Sequence, residues 1–258
     1  MIQALRELFA FREVLLVLVW RELRARYRGS VLGFLWTFLN PLLLIVIYSL
    51  VFSVYMRVEI PAYPAFVFAG LLPWIWFSSA MLLGSNSIVE GGSLIKRVAF
   101  APHVLPVVSV TATLVNFLLS LPILLGVVLW WGLPLGWPLL ALPLLIATQY
   151  AFTLGLAVGL AMLTVRYRDL HQLVGNLLTL WFFLTPVLYP ASMVPARFQP
   201  LLVFNPMALL VTAFQNVLYE GEAPAAGHLA AVVAEAVFVL ALGLALCARM
   251  RWELAEDV

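Results

Sequence analysis

The chain has 258 residues, of which 65% are hydrophobic and 10% charged, with a mean hydropathy of +1.08 and a formal net charge of +2. Such a composition leaves no room for a separate soluble domain and places the chain among all-α polytopic membrane proteins. The single cysteine, Cys247, excludes an intramolecular disulfide and reads as a small packing residue near the end of the last apolar run.

At the N-terminus, Arg6, Glu7, Arg12 and Glu13 interrupt the apolar pattern, so no cleavable signal peptide is expected and the first spans serve as internal targeting signals. The apolar run from Val14 to Trp20 is far too short to cross a bilayer and is expected to lie in the membrane interface. Arg21, Arg24 and Arg28 recur at i, i+3 and i+7 and share one helical face, as in an amphipathic helix facing anionic headgroups. A simple charge cluster that sets topology is the competing reading, and the two are compatible.

Beyond residue 28 the charges thin out into windows that match membrane crossings. The longest, residues 98–165, runs for 68 residues without Asp, Glu, Lys or Arg. At ~20 apolar residues per crossing it holds two spans. The break between them is visible in Trp130-Trp131-Gly132-Leu133-Pro134-Leu135-Gly136-Trp137-Pro138, whose tryptophans fit an interfacial belt. Six spans are expected, at about 33–56, 63–89, 104–130, 139–164, 171–190 and 228–248. Residues 198–219 are long enough to be a seventh but carry Pro200, Pro206 and the polar pair Gln215 and Asn216.

The basic residues decide between these topologies. With six spans and both ends inside, Arg6, Arg12, Arg21, Arg24, Arg26, Arg28, Lys96, Arg97, Arg166, Arg168, Arg249 and Arg251 are cytoplasmic, leaving only Arg57 and Arg197 outside, a split of 12 to 2. A seventh crossing would carry Arg249 and Arg251 outside, against the positive-inside bias. Residues 198–219 are therefore expected to form a re-entrant or interfacial helical pair on the outer side. Irregular backbone at that depth survives only where protein or a water-filled cavity covers it.

The chemistry that is missing also narrows the function. The only lysine, Lys96, has no Gly-x-x-x-x-Gly-Lys-Ser/Thr around it, so ATP cannot bind through a P-loop. The two aspartates, Asp169 and Asp257, rule out a paired intramembrane aspartyl site, and no His-Glu-x-x-His helix exists. His103, His171 and His228 fall near span ends and far apart, which favours interfacial packing over metal ligation. No catalytic residue, metal site or cofactor is expected. Glu235 is the one carboxylate inside a span, about seven residues from the outer end, and a lone acid does not make a proton-coupled carrier.

Four segments then carry a likeness. Residues 26–41, Arg-Tyr-Arg-Gly-Ser-Val-Leu-Gly-Phe-Leu-Trp-Thr-Phe-Leu-Asn-Pro, resemble the start of the first span in ABC-2-type permeases that export polysaccharides. Leu94-Ile95-Lys96-Arg97-Val98-Ala99-Phe100 with Val104-Leu105-Pro106 resembles that family's loop between spans two and three, and Arg166-Tyr167-Arg168-Asp169-Leu170 its loop between spans four and five. Thr185-Pro186-Val187-Leu188-Tyr189-Pro190 with Asn205-Pro206 is similar to its outer re-entrant region. The likeness covers nearly the whole chain in the right order and is nearest to O-antigen exporters, while teichoic acid and capsule exporters share much of the pattern.

The resemblance implies one transmembrane domain over residues 1–258: an interfacial helix (1–29), spans one to five (30–190), an outer gate region (191–227), span six (228–248) and a cytoplasmic tail (249–258). It further implies a homodimer in the bacterial cytoplasmic membrane, paired with two cytoplasmic ATPase subunits, that moves lipid-linked polysaccharide. ABC-2-type export of drugs or lipids is the alternative, and nucleic acid is not an expected partner. Leu94, Ile95, Lys96, Arg97 and Phe100 would couple to the ATPase, with Arg21, Arg24, Arg28, Arg168 and Asp169 at the cytoplasmic interface. Pro186, Tyr189, Pro190, Asn205 and Pro206 would form the outer gate region. A polymer that slides needs shallow contacts, so the aromatic faces of Trp36, Phe38, Trp181, Phe182 and Phe183 are candidates for its channel wall. Packing against lipid or core is the competing reading for each ring. Ala147, Ala151, Gly155 and Gly159 form a small-residue stripe that lets another helix approach, from the same subunit or another.

Overall fold

In the computed structural model, which describes residues 12–97 and 103–257, all regular structure among the described residues is helical. Five segments are long and apolar enough to cross a membrane: Gly33–Tyr55, Tyr63–Gly91, Val104–Trp130, Trp137–Arg166 and Ala226–Met250. Helix α1 (Arg12–Tyr27) leads through Gly29, at φ +80°, into the first crossing, a short 3-10 turn followed by α2 (Trp36–Ser49) and a wider π turn, Leu50–Tyr55. Helix α3 (Tyr63–Arg97), α4 (Val104–Trp130) and α5 (Leu142–Arg166) supply the next three crossings. Then come α6 (Leu170–Leu184), the short α7 (Gln199–Val203), α8 (Pro206–Gln215) extended by a π turn over Asn216–Glu220, and α9 (Ala226–Asp257).

Helix α3 is the hub, packed against α2, α4, α5, α6 and α8. In its most apolar window 72% of the residues are buried, against 11% in the first crossing, so α2 is the span least enclosed by its own chain. A second anchor is the α5–α9 pair. There the small-residue stripe finds its neighbour within the same chain: Gly155 lies on the backbone of Val239 and Leu240, Gly243 on the Gly155 carbonyl, and Gly159 against Gly243 and Leu246. Small residues let helix backbones touch where lipid provides no hydrophobic drive for association. Polar side chains also bridge spans, Gln149 Nε2 donating to the Pro73 carbonyl at 2.8 Å and Thr111 sharing a 2.9 Å bond with Tyr150.

Three of the expected elements have a more detailed geometry. The fifth span was placed at 171–190, but α6 ends at Leu184 after 15 residues, about 22 Å at 1.5 Å per residue, short of a ~30 Å hydrocarbon core. Pro186 sets that end, because the residue before proline avoids the α region, and Thr185 is extended at φ −106°, ψ 132°. The apolar part of α1 is not one stripe: Leu18, Val19 and Leu23 are buried against Val104, Leu105, Val108 and Ala112 of α4, while Leu16, Val17 and Trp20 face outward. Arg21, Arg24 and Arg28 are exposed, as their shared face requires. In residues 198–219, α8 is among the most buried elements of the chain, with Met207, Leu210, Val211, Phe214 and Leu218 sealed in the core.

Candidate functional site

In the irregular segment 185–190, Thr185, Pro186, Val187 and Leu188 are buried without a helix to satisfy their carbonyls. Side chains from three directions do so instead. Gln215 Nε2 on α8 donates to the Pro186 carbonyl at 3.1 Å, and Tyr63 Oη at the start of α3 donates to the Leu188 carbonyl at 2.8 Å. Asn205 Nδ2 donates to the Leu184 carbonyl at 3.2 Å, and Asn205 Oδ1 accepts from the Ala208 amide at 3.1 Å, capping α8. Gly70 makes room for the first of these bonds, because a Cβ there would lie 2.6 Å from Gln215 Nε2. A buried polar backbone costs several kcal/mol per unpaired group in lipid, so this lattice is what permits a non-helical stretch there.

The gate residues singled out from sequence are thus brought together around that segment. Pro186 is buried, Pro190 and Tyr189 are partly so, and Tyr189 Oη donates to the Phe183 carbonyl at 2.8 Å. Asn205 and Pro206 open α8 beside them. Sequence reasoning did not single out Tyr63 or Gly70, and it placed Thr185 in the re-entrant segment without giving it a role. For Gln215 the signal was present, a polar pair in an otherwise apolar window.

The aromatic candidates divide between two places. Trp181 Nε1 donates to Asn205 Oδ1 at 2.8 Å, and its ring meets Phe77 edge-on at 5.3 Å and Phe152 at 6.4 Å. Phe182 packs on Trp74 and Tyr48, whereas Phe183 is 64% exposed. Trp36 and Phe38 lie far from this group at the start of α2, where Phe38 meets Phe34 edge-on at 5.3 Å. Within one subunit the five rings do not form a single wall.

At the end of α3, Leu94, Ile95, Lys96 and Arg97 form the last helical turn; their side chains, and Phe100 altogether, lie outside the described residues. Arg168 and Asp169 are exposed in the turn between α5 and α6, and the Asp169 carbonyl accepts from the Leu173 amide at 3.1 Å. Nearby, Ser85 Oγ and His171 Nδ1 meet at 3.4 Å and tie α3 to α6. At the opposite end of the bundle, partial burial and then the like charge of Glu222 raise the pKa of Glu220 above the usual carboxylate range. Among the described residues no three His, Cys, Asp or Glu side chains come together as a metal cage would require.

A bundle of apolar helices, five of them long enough to cross a bilayer, around a polar-stapled irregular segment defines a multi-pass membrane protein. The chain belongs to the ABC-2 type transporter family, whose model matches residues 13–219. That family works with an ATPase partner in ABC exporters. The chain is 45% identical over 261 residues, covering all of both proteins, to the O-antigen export system permease protein RfbA of Myxococcus xanthus. It is 32% identical over 211 residues, 81% of each chain, to the protein of the same name from Klebsiella pneumoniae. A more distant relative is the polysialic acid transport protein KpsM of Escherichia coli, 24% identical over 78% of this chain and 79% of its own length.

Proposed function

We propose that this chain is the channel subunit of an ATP-driven exporter that moves lipid-linked polysaccharide of the O-antigen type across the bacterial cytoplasmic membrane. The observation that carries this reading is the 45% identity, end to end, with a protein named as an O-antigen export permease. The 12 to 2 split of basic residues supports six crossings with both termini cytoplasmic, α6 together with residues 185–190 making the fifth. Residues 191–227 are then external, and α7 and α8 form a re-entrant hairpin that enters and leaves from the outside. At 15 residues, α8 with its π turn reaches about 22 Å, too short to cross, which fits this role.

Two copies form the working unit, each bound to one ATPase subunit. Exposed apolar residues on α2 and the π turn after it (Leu43, Val46, Ile47, Leu50) and on α6 (Leu173, Leu177, Leu180, Leu184) are the surfaces that a second copy would cover. Such a contact would also enclose the exposed Phe183. ATP-driven closure of the partners is passed through the end of α3, where Lys96 and Arg97 meet the ATPase, to the spans. The subunit itself carries out no chemical step.

Deleting the gene in its native host tests the assignment. The expected result is loss of surface polysaccharide, accumulation of lipid-linked polymer on the cytoplasmic side, and recovery only when this permease and its ATPase are both supplied. Unchanged surface polysaccharide together with sensitivity to a drug or an altered lipid distribution would instead identify a drug or lipid exporter.

A further inference from the structure

On the face of α3 away from α6, spans one, two and three leave a cleft of about 320 Å³ inside the bundle. It starts at Ser30 and Trp36 and runs inward between Asn40 on α2, Trp76 and Ser79 on α3, and Asn116 and Ser120 on α4. None of the described residues that line it is charged. It therefore lacks the cations that a phosphate or pyrophosphate headgroup would need once removed from water.

The hydrogen-bonding groups around the cleft are of unequal kinds. Thr113 Oγ1 donates to the Val110 carbonyl at 2.8 Å and Ser120 Oγ to the Asn116 carbonyl at 3.0 Å, so both hydroxyl protons are used within α4 and their lone pairs remain. Asn116 Oδ1 is buried with no donor, and Trp76, only 2% exposed, holds its indole N–H with no acceptor. Thr113, Asn116 and Ser120 recur at i, i+3 and i+7, which sets three acceptors in a row along one face of α4, while the Trp76 indole and the side-chain amides of Asn40 and Asn116 bring donors to the same cleft. A hydrocarbon chain in the cleft would leave all of these unpaired, and an ester or ether could only accept. A ligand with several hydroxyls both donates and accepts. Beside these groups the Trp76 and Phe117 rings stack on each other at 4.8 Å and 30°, and Trp36, 37% exposed at the rim, supplies an apolar aromatic surface for C–H groups.

We infer that this cleft is a binding site for a neutral pyranose ring, held by Trp76, Asn116 and the α4 hydroxyls. The identity of the sugar that reaches it rests on the polysaccharide reading above; the chemistry of the cleft does not. The site lies on the opposite side of α3 from Trp181 and Phe182, so it is separate from the aromatic cluster near the outer gate.

The test uses the full chain in nanodiscs of phosphatidylethanolamine and phosphatidylglycerol, with two probes that share a tail: octyl-β-D-glucopyranoside and octyl tetraoxyethylene ether, each below its micelle threshold. Saturation-transfer NMR reads the head-group protons directly. The glucoside is expected to show saturable transfer to its ring protons and the ether none. Trp76→Phe keeps an aromatic ring but loses the N–H, and Asn116→Ala loses the acceptor; each should weaken glucoside binding about tenfold. Should Trp76→Phe fail to reconstitute, Asn116→Ala and Thr113→Val carry the decision. Equal transfer to both probes, no transfer to either, or unchanged affinity in the variants overturns the sugar site and leaves a cleft filled by lipid or water. Polysaccharide export by the wild-type pair, measured in cells, is independent of this. Export with no glucoside binding removes the cleft alone, while glucoside binding without polysaccharide export removes the exporter reading and keeps the site.

Discussion

The α5–α9 crossing offers a prediction whose size follows from geometry. A Cβ on Gly155 would stand 2.6 Å from the Cα and N of Leu240 and the carbonyl carbon of Val239, all backbone atoms with no rotamer to relax. Ordinary contact begins near 3.4 Å, so Gly155→Ala requires the two helices to part locally by about 3.4 − 2.6 = 0.8 Å. Overpacking of this kind costs about 1–3 kcal/mol, which multiplies the opening equilibrium by about 5 to 150. The single cysteine provides the assay without engineering, since Cys247 is buried on α9 one turn beyond Gly243. Maleimide labelling of Cys247 in detergent, under conditions where opening and closing are fast, should accelerate by that factor in Gly155→Ala. It should not change in Gly126→Ala, where a Cβ meets nothing within 4 Å, and should barely change in Gly159→Ala, whose nearest atoms stand at 3.8 Å. Equal labelling rates in Gly155→Ala and Gly126→Ala would refute the claim that this crossing is set by backbone contact.

Other consequences are equally concrete. Gln215→Leu should lower stability by about 1–3 kcal/mol, because it leaves the buried Pro186 carbonyl unpaired; a denaturation series showing no loss would mean that the 185–190 segment is held by packing alone. Trp181→Phe removes only the bond to Asn205 and should retain assembly, whereas Trp181→Ala also empties the space against Phe77 and Phe152 and should reduce the amount of folded protein; normal folding with defective export per complex would place Trp181 on the polymer path instead. Lys96→Glu combined with Arg97→Glu should leave the permease inserted yet unable to co-purify with its ATPase, and normal co-purification would reduce both residues to topology signals. Since the raised pKa of Glu220 means that the folded state holds its proton more tightly, stability should fall as pH rises from the usual carboxylate value to the raised one. Glu220→Gln should flatten that part of the pH–stability curve, and an unchanged slope would trace the dependence to another group.

What could be read from the amino-acid order depended on how local the cause was. Crossings two, three and four follow from uninterrupted apolar length, and their observed bounds at Tyr63, Val104, Trp130 and Arg166 lie within a few residues of the charge-free windows. Length alone did not show where the fifth helix ends, because the six uncharged residues after Leu184 look much the same in a hydropathy window whether helical or not. The prolines gave the local hint, and the reason those residues can stay non-helical at depth is distant: Gln215 sits 29 positions away and Tyr63 125. Likewise Trp181 is an apolar aromatic in a span by sequence and a hydrogen-bonded strut to Asn205 in the fold. Gly70 shows the same limit, since its need to be glycine comes from a side chain 145 positions further on.

These distant bonds also say which parts move together. Residues 185–190 are tied to the start of α3 through Tyr63, to α8 through Gln215 and Asn205, and the Tyr219 hydroxyl beyond α8 donates to the Pro61 carbonyl at 2.6 Å. These loops are therefore stapled to the most buried span. The first crossing, by contrast, has the least enclosure in its own chain, and the cleft beside Trp76 opens along its flank. A push delivered at the Arg97 end of α3 is thus expected to carry α3, α8 and the irregular segment as one unit. The compliant boundary is then the one between that unit and α2. A disulfide joining α2 to α3 across the cleft, at Thr37 and Ser79 for example, should block transport while sparing assembly and ATPase binding; a disulfide within the stapled unit should leave transport, assembly and ATPase binding unchanged. If the α2–α3 crosslink leaves export at the wild-type rate, the moving boundary lies elsewhere.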